Sequence, residues 1–465
     1  MKKFTLMISA SLLSCIGLNA QSIDGGNNHS IRLCNGVVHT WGFGAYGEIG
    51  NGFNTNSNIP VAISSMSNVL AVEAHHNHNL VLKSDSTVWG WGKNLAGQLG
   101  TGTTSSPGAN TPTQAGSLTG IKKIGSGDDR SFAIKANGNV WVWGDNSQGK
   151  LGLGNGTNTY VPTQIPSLSG ITDADGGASH SLFLKNDGTV WACGTAGTGA
   201  LGNGVSIGTF STPVQVLGPN GVGFLTNIIA IAAGYNFSYA LRNDGTVWSW
   251  GSNLSGNLGN GNTTNTNVPI QVTVLTGSFI AIDAGANWGM ALKSDGTIWG
   301  WGSNTDGQLG DGSFVSSLLA VQATGITTGS AISAGDGHAL AVLNNGTTWA
   351  WGRGANGQLG NGATAKSTVP VLVNVCSITS ITEYSDNKNV LIYPNPSTGL
   401  FKVNLNSNSH SSIEIINTLG QTVYSEFVVT ENQTIDLQHL QNGLYTLKVI
   451  EDGKIISNNK VIIQK

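Results

Sequence analysis

Charge is what this sequence has least of. Asp, Glu, Lys and Arg together make up 10% of its 465 residues, against about 25% in ordinary soluble proteins. The formal net charge is -3, so nothing draws the chain generally to phosphate backbones or anionic membranes. Only thirteen Lys and Arg lie between residues 22 and 375, and they are scattered. That distribution argues against a nucleic-acid face. Cysteine is scarce, with four in all, and after the N-terminal apolar run no segment is long enough to cross a bilayer. No Gly-x-Ser-x-Gly elbow stands between a strand and a helix, and the glycine-rich turns lack the Lys-Ser/Thr of a phosphate loop.

What is present points to a packed chain rich in turns. There are 67 glycines, 13 tryptophans and 39% apolar residues. Thr246-Val247-Trp248-Ser249-Trp250-Gly251 alternates like a strand, and Gly256-Asn257-Leu258-Gly259 behind it forms a tight turn. The second tryptophan recurs at Trp41, Trp91, Trp143, Trp250, Trp301 and Trp351, with Cys193 in the remaining unit, at spacings of 50, 52, 50, 57, 51 and 50. The Leu-Gly turn recurs at Ile49, Leu99, Leu151, Leu201, Leu258, Leu309 and Leu359. Two columns each count seven, so each unit buries its face against its neighbours.

Each unit reads as short strands joined by hairpins such as Asp295-Gly296, because Gly accepts a positive φ without a clash; Asp85-Ser86 is the exception. A variable Asn/Thr/Ser loop follows the Leu-Gly turn, and a proline then opens the last strand, as at Pro269 and Pro370. The fold class is therefore all-β, a seven-bladed β-propeller over residues 21–375 followed by a small C-terminal β-sandwich. Residues 1–20 read as a signal peptide, with Met1-Lys2-Lys3, an apolar run from Phe4 to Leu18, and Ala20 before the cut. Residues 376–389 read as a linker and 390–465 as the sandwich. The last propeller strand is expected to pair within the blade holding the N-terminal residues, leaving no edge open. Cys34 and Cys376 lie near the two ends of the array, which leaves a disulfide between them open, and Cys193 reads as a small buried hydrophobe.

The pattern Ala284-Gly285, Lys293-Ser294-Asp295-Gly296-Thr297, Trp299-Gly300-Trp301-Gly302 and Gly307-Gln308-Leu309-Gly310 resembles the regulator of chromosome condensation repeat family. That resemblance implies seven blades and fixes no function. Its founding member is an exchange factor for a nuclear GTPase on chromatin, and other relatives are β-lactamase-inhibiting propellers or adaptors. The tail carries Tyr393-Pro394-Asn395-Pro396, Gly399, Leu419-Gly420-Gln421 and Asn442-Gly443-Leu444-Tyr445. It resembles the C-terminal sorting domain of the Bacteroidetes type nine secretion system. The resemblance implies that the secretion machinery reads residues 390–465 and that the cargo reaches the outer cell surface or medium through the periplasm.

Candidate chemistry is sparse. The propeller holds sixteen acids; Asp24, Glu73, Asp175 and Asp283 share one column, where they either line the channel or accept N–H groups of the adjacent turn. His29, His78, His180 and His338 share a column with Arg130, Phe237 and Trp288, a substitution pattern that reads as packing. In His75-His76-Asn77-His78, His76 and His78 would share a strand face, but no Cys or acidic pair completes a metal site. No catalytic residue, metal or cofactor is assigned. Binding is expected on one rim, at Asn28, His76, Asn77, Asp128, Asp129, Arg130, Tyr235, Asn236, Asn287, Trp288 and Asp336. The Asn/Thr/Ser loops, longest around residues 205–224, are expected to form the opposite rim. The leading function is a secreted or surface-displayed, non-enzymatic module binding an extracellular protein or glycan and no nucleic acid. The alternatives are an extracellular polysaccharide-acting enzyme and a propeller inhibitor of a partner enzyme.

Overall fold

In six of the seven blades the hairpin between the second and third strands is set by a side chain that closes its own turn. In the sixth repeat Asp295 Oδ1 accepts the Thr297 N–H at 3.0 Å and its hydroxyl at 2.6 Å, while Gly296 takes φ +84° between them. Ser86 adopts the same left-handed conformation, φ 64°, where the other turns have glycine. The computed structural model describes residues 23–272, 275–376, 390–404, 411–417, 421–428, 432–451 and 454–465. The signal-peptide stretch and residues 377–389 lie outside that set, as does Gly420.

Residues up to Cys376 form one compact unit and those from Ser377 another. The first contains seven four-stranded antiparallel meanders, each running from its innermost to its outermost strand in chain order. Blade six shows the plan, with strands Phe279–Ala284, Trp288–Lys293, Ile298–Gly302 and Ser317–Gln322. Apolar layers form between blades. One cluster joins Leu182, Ala192 and Leu201 of blade four to Ile231, Ala240 and Trp250 of blade five.

The prolines sit differently from expectation. Pro269 lies inside Thr266–Gln271 and Pro370 inside Ser367–Val373. Both strands are outermost, and the register of each shifts across the proline, between Thr266 and Ile270 and between Ser367 and Val371. An edge strand with such an irregularity tolerates a residue without an N–H.

Ring closure also departs from the expected strand exchange. Ser367–Val373 pairs with Thr348–Gly352 of its own blade, and Ile23–Gly25 pairs with His29–Cys34. The array begins on an innermost strand and ends on an outermost one, so every blade is complete and donates nothing. Side chains close the ring instead: Ser30 Oγ meets His338 Nε2 at 2.9 Å, and Ser333 Oγ accepts the Gly25 N–H at 3.0 Å. Cys34 and Cys376 are disulfide-bonded with their Cα atoms 5.8 Å apart, while Cys193 is a buried free thiol.

The tail unit packs Leu391–Tyr393, Leu400–Asn404 and Asn432–Asp436 as one sheet. Ser411–Ile416, Thr422–Val428, Gly443–Glu451 and Lys454–Ile463 form the other. Phe401, Val403, Ile413, Ile435, Leu447 and Val461 fill the core between them. The motif residues pin the last strand. Asn395 accepts the Ile462 N–H at 2.8 Å and donates to the Lys460 carbonyl at 2.7 Å.

The disulfide bridges residues 342 apart, and long closed loops restrict the unfolded chain most. Cys34→Ser is expected to lower unfolding free energy by about 3–5 kcal/mol, read by urea denaturation. Reduction of the wild type should give the same loss.

Candidate functional site at the channel mouth

Three successive columns of the innermost strands build the channel. The first contains Ala71, Lys123, Asp173, Ala230, Ala281 and Ala331, and Lys123 pairs with Asp173 at 2.6 Å. The second contains the expected acids with Gly125, Ala232 and Ser333. Each of three aspartates stitches its blade to the next. Asp24, Asp175 and Asp283 accept the N–H groups of Ala74, Ala233 and Ala334 at 2.7–2.8 Å. Each also accepts the N–H of the residue that follows it. Burial raises their pKa values, to about 6 for Asp175 and about 8 for Asp283. Burial, reinforced by Asp24, holds Glu73 well above its ordinary value. Negative charge on Asp24 and Asp175 adds to the rise at both Glu73 and Asp283, across blades one, two, four and six.

The third column is glycine in six blades, at Gly26, Gly127, Gly177, Gly234, Gly285 and Gly335. Here the blades nearly touch; a Cβ on Gly177 would lie 1.9 Å from the Gly234 carbonyl oxygen. Blade two carries His75 instead, whose Nδ1 stands 3.3 Å from an Asp128 carboxylate oxygen. Sequence reasoning missed His75, although its break in a glycine column was visible.

Beyond this layer the first-to-second-strand loops join across the mouth. Asn27 N–H donates to His76 O, Ala178 to Tyr235 O, Tyr235 to Ala286 O, Ala286 to Asp336 O, and Asp336 to Gly26 O, at 2.8–3.3 Å. The Tyr235 hydroxyl of blade five donates to Asp336 of blade seven, spanning the intervening blade. At the seam of blades two and three, charge takes the place of main-chain bonds. His76 Nδ1 lies 3.6 Å from Asp129, which also receives Lys93 Nζ at 2.8 Å and Gln98 Nε2 at 2.7 Å. Burial disfavours a charged His75, but the Asp128 contact and the surrounding carboxylates outweigh it and raise the pKa to about 9. Burial likewise opposes charge on Asp128, yet His75 holds it at about 2. Asp129 is lowered by His76 and Lys93 against its burial, whereas burial raises Asp336. Beneath this cluster a cavity of about 10 Å³, bounded by His75, His76, Tyr235 and Asp336, has room for one water. A sugar ring does not fit there.

The expected binding residues therefore divide. His76, Asp128, Asp129, Tyr235 and Asp336 converge at the mouth, and Asn28, Asn236 and Asn287 stand around it. Arg130 and Trp288, by contrast, are fully buried wedges. Arg130 donates to Ser181 Oγ at 2.9 Å and Gly177 O at 2.8 Å; Trp288 Nε1 donates to Asp336 O at 3.0 Å. Both belong to the histidine column, whose side chains point between blades. Asn77 is also buried, with its carbonyl accepting the Lys93 N–H. His76 and His78 do not share a face. A positive φ of 45° at His76 breaks the strand, and His78 turns inward to Ser131 Oγ at 3.0 Å.

The variable loops begin on this same rim. Lys93, Asp145, Thr195, Ser252 and Ser303 each donate an N–H to the first loop of their own blade. Antiparallel order places the first and third connections at one end and the hairpin turns at the other. The stretch 205–224 is split by strand Thr209–Gln215, so only its first part belongs to this rim.

Residues 35–82, 85–134, 137–184, 187–241, 244–292, 295–342 and 345–383 each match the model of the regulator of chromosome condensation (RCC1) repeat. The chain belongs to that family. Residues 391–464 match the secretion system C-terminal sorting domain, so a tail of the export type follows the propeller. The ultraviolet-B receptor UVR8 of Arabidopsis thaliana is 30% identical over 306 residues, which are 64% of this chain and 69% of the receptor. The E3 ubiquitin-protein ligase HERC2 of Mus musculus is 30% identical over 326 residues, but these are only 6% of that protein. Among solved structures, human WBSCR16 superposes with a TM-score of 0.65 at 22% identity, covering 73% of this chain and 95% of that one. Prp20p of Saccharomyces cerevisiae gives 0.64 at 22% identity, covering 79% and 88%. These two likenesses establish the fold. Among the described residues no helix is long and apolar enough to cross a membrane.

A carboxyl whose folded pKa is raised costs stability once pH climbs above its unfolded value, 4.5 for glutamate. That cost is complete above the folded pKa and absent below 4.5. Glu73→Gln is therefore expected to be more stable than wild type at pH 8. Its advantage should shrink as pH falls toward 4.5, when denaturation curves of the two proteins are compared.

Proposed function

We propose that this is an exported, non-enzymatic binding module whose ligand, an extracellular protein or glycan, docks on the rim around the channel mouth. One observation carries this reading. The mouth gathers paired charges and a half-buried tyrosine from four blades onto a rigid ring, at positions where the repeats differ. Rigid repeats that present unlike loops make good binding faces, and Tyr235 supplies the aromatic anchor such faces favour. Asn28, Asn236 and Asn287 add adaptable polar contacts around it.

The sorting tail supports delivery outside the cell through the type nine machinery, by way of the periplasm if residues 1–20 act as a signal peptide. The outer surface or the medium is then the place of work. Catalysis on polysaccharide is the weaker reading. Three of the four column acids already hold backbone N–H groups of the next blade, and the space beneath the mouth suits a water. Binding at the mouth needs no cofactor.

The test uses the full chain in a glycan array and in affinity capture from culture supernatant. Tyr235→Ala and His76→Ala should each weaken the captured ligand about tenfold or more, the ordinary size of a hot-spot loss, at a temperature where denaturation curves show both variants still folded. Undiminished capture by both variants would place the ligand elsewhere.

A further inference from the structure

Basic residues recur in the propeller as part of its construction. The second strand ends in Lys83, Lys135, Lys185, Arg242 and Lys293 in blades two to six. Four of these lie over the first tryptophan of the same blade, Lys135 at 5.1 Å from the Trp141 ring. Two residues later most of these blades place an aspartate in the hairpin turn, at Asp85, Asp187, Asp244 and Asp295. Lys185 and Lys293 stand 3.9 and 3.3 Å from theirs.

Blade three breaks this arrangement twice. Its turn residue is Asn137, so Lys135 lacks the acid that its counterparts have. Its innermost strand carries Lys122-Lys123, where other blades have Leu70-Ala71, Ile229-Ala230, Ile280-Ala281 and Ser330-Ala331. Lys123 pairs with Asp173 of blade four, and among the described residues no carboxylate pairs with Lys122. The three lysines meet in a groove of about 310 Å³ between the hairpin turns of blades three and four, with Asn137, Thr172 and Asn186 on its walls. Gly138 seats against Gly170 there; a Cβ on Gly138 would lie 2.6 Å from the Gly170 Cα. The groove opens at the end of the ring opposite the mouth.

Three ammonium groups against one carboxylate leave an excess of positive charge in a protein with little of it. Amide and hydroxyl side chains beside them suit the hydroxyls of a sugar, and the volume lies at the lower end of the ~300–1,000 Å³ usual for small-ligand sites. We infer that this groove binds one unit of an acidic saccharide, its carboxylate or sulfate held between Lys122 and Lys135. It is a second site, independent of the rim.

Calorimetric titration of the full chain tests this with tetragalacturonate, its methyl ester and a sulfated tetrasaccharide. The two acidic sugars tell carboxylate from sulfate, and the ester should not bind. Lys122→Glu should weaken the acidic sugar about tenfold, as loss of a charged hydrogen bond does. Asn137→Asp should weaken it by a smaller factor; aspartate is what four other blades carry at that turn, so this variant keeps its fold. Tyr235→Ala should leave the affinity unchanged, which separates this site from the rim. The inference fails if neither acid binds, if the ester binds equally, or if both groove variants bind as wild type does.

Discussion

The ring depends on one contact, repeated at its seams: an indole N–H reaching into the neighbouring blade. Trp41, Trp91, Trp143, Trp250, Trp301 and Trp351 donate to the carbonyls of Gln358, Glu48, Gln98, Ala200, Asn257 and Gln308 at 2.8 or 2.9 Å. Each accepting residue comes just before the leucine or isoleucine of a Leu-Gly turn. The glycine of that turn lies flat on the indole; a Cβ on Gly50 would stand 2.7 Å from Trp91 Nε1. Tryptophan and glycine thus form one device split between two blades. At the fourth seam Cys193 Sγ reaches the Lys150 carbonyl at 3.3 Å and keeps the contact in reduced form.

A second set of contacts runs along the same seams and shows how partners change together. His29, His78, Arg130, His180 and His338 each meet a polar residue of the next blade: Asn79, Ser131, Ser181, Ser238 and Ser30. Where the column becomes Phe237 or Trp288, the facing residues are Gly289 and Ala339. Wedge and socket exchange as a pair, because a buried polar group without a partner is costly. Burial keeps these histidines neutral, with pKa values of about 4 for His29 and about 3 for His78, His180 and His338. Six of the seven matched family segments run from one hairpin turn to the second strand of the following blade. In physical terms the repeating unit is therefore a seam.

Local geometry was readable from the residues alone. Asp-Gly turns, alternating tryptophans and a fixed period are consequences of short-range sterics and burial, so they specify hairpins and blade count directly. Ring closure was harder to read. Exchange of a terminal strand and a closed set of complete blades use the same pattern, and the difference lies in where the array starts. Arg130 and Trp288 were misplaced because a side chain wedged between blades and one at an open rim follow the same loop. His75 was overlooked among its histidine neighbours, yet its place in a glycine layer makes it the one side chain that enters there. The mouth and the basic groove share this origin, since both occur where the repeats depart from their common pattern.

Two tryptophans on one strand offer the most direct test of the seam. Trp301 is fully buried and bonded across to Asn257, whereas Trp299 is half-buried and bonds Thr297 within its own hairpin at 3.0 Å. Trp301→Ala and Trp299→Ala are compared by equilibrium urea unfolding. The account predicts a loss of about 3–5 kcal/mol at Trp301, the usual result for a buried tryptophan, and a much smaller loss at Trp299. Equal losses at the two positions would contradict it.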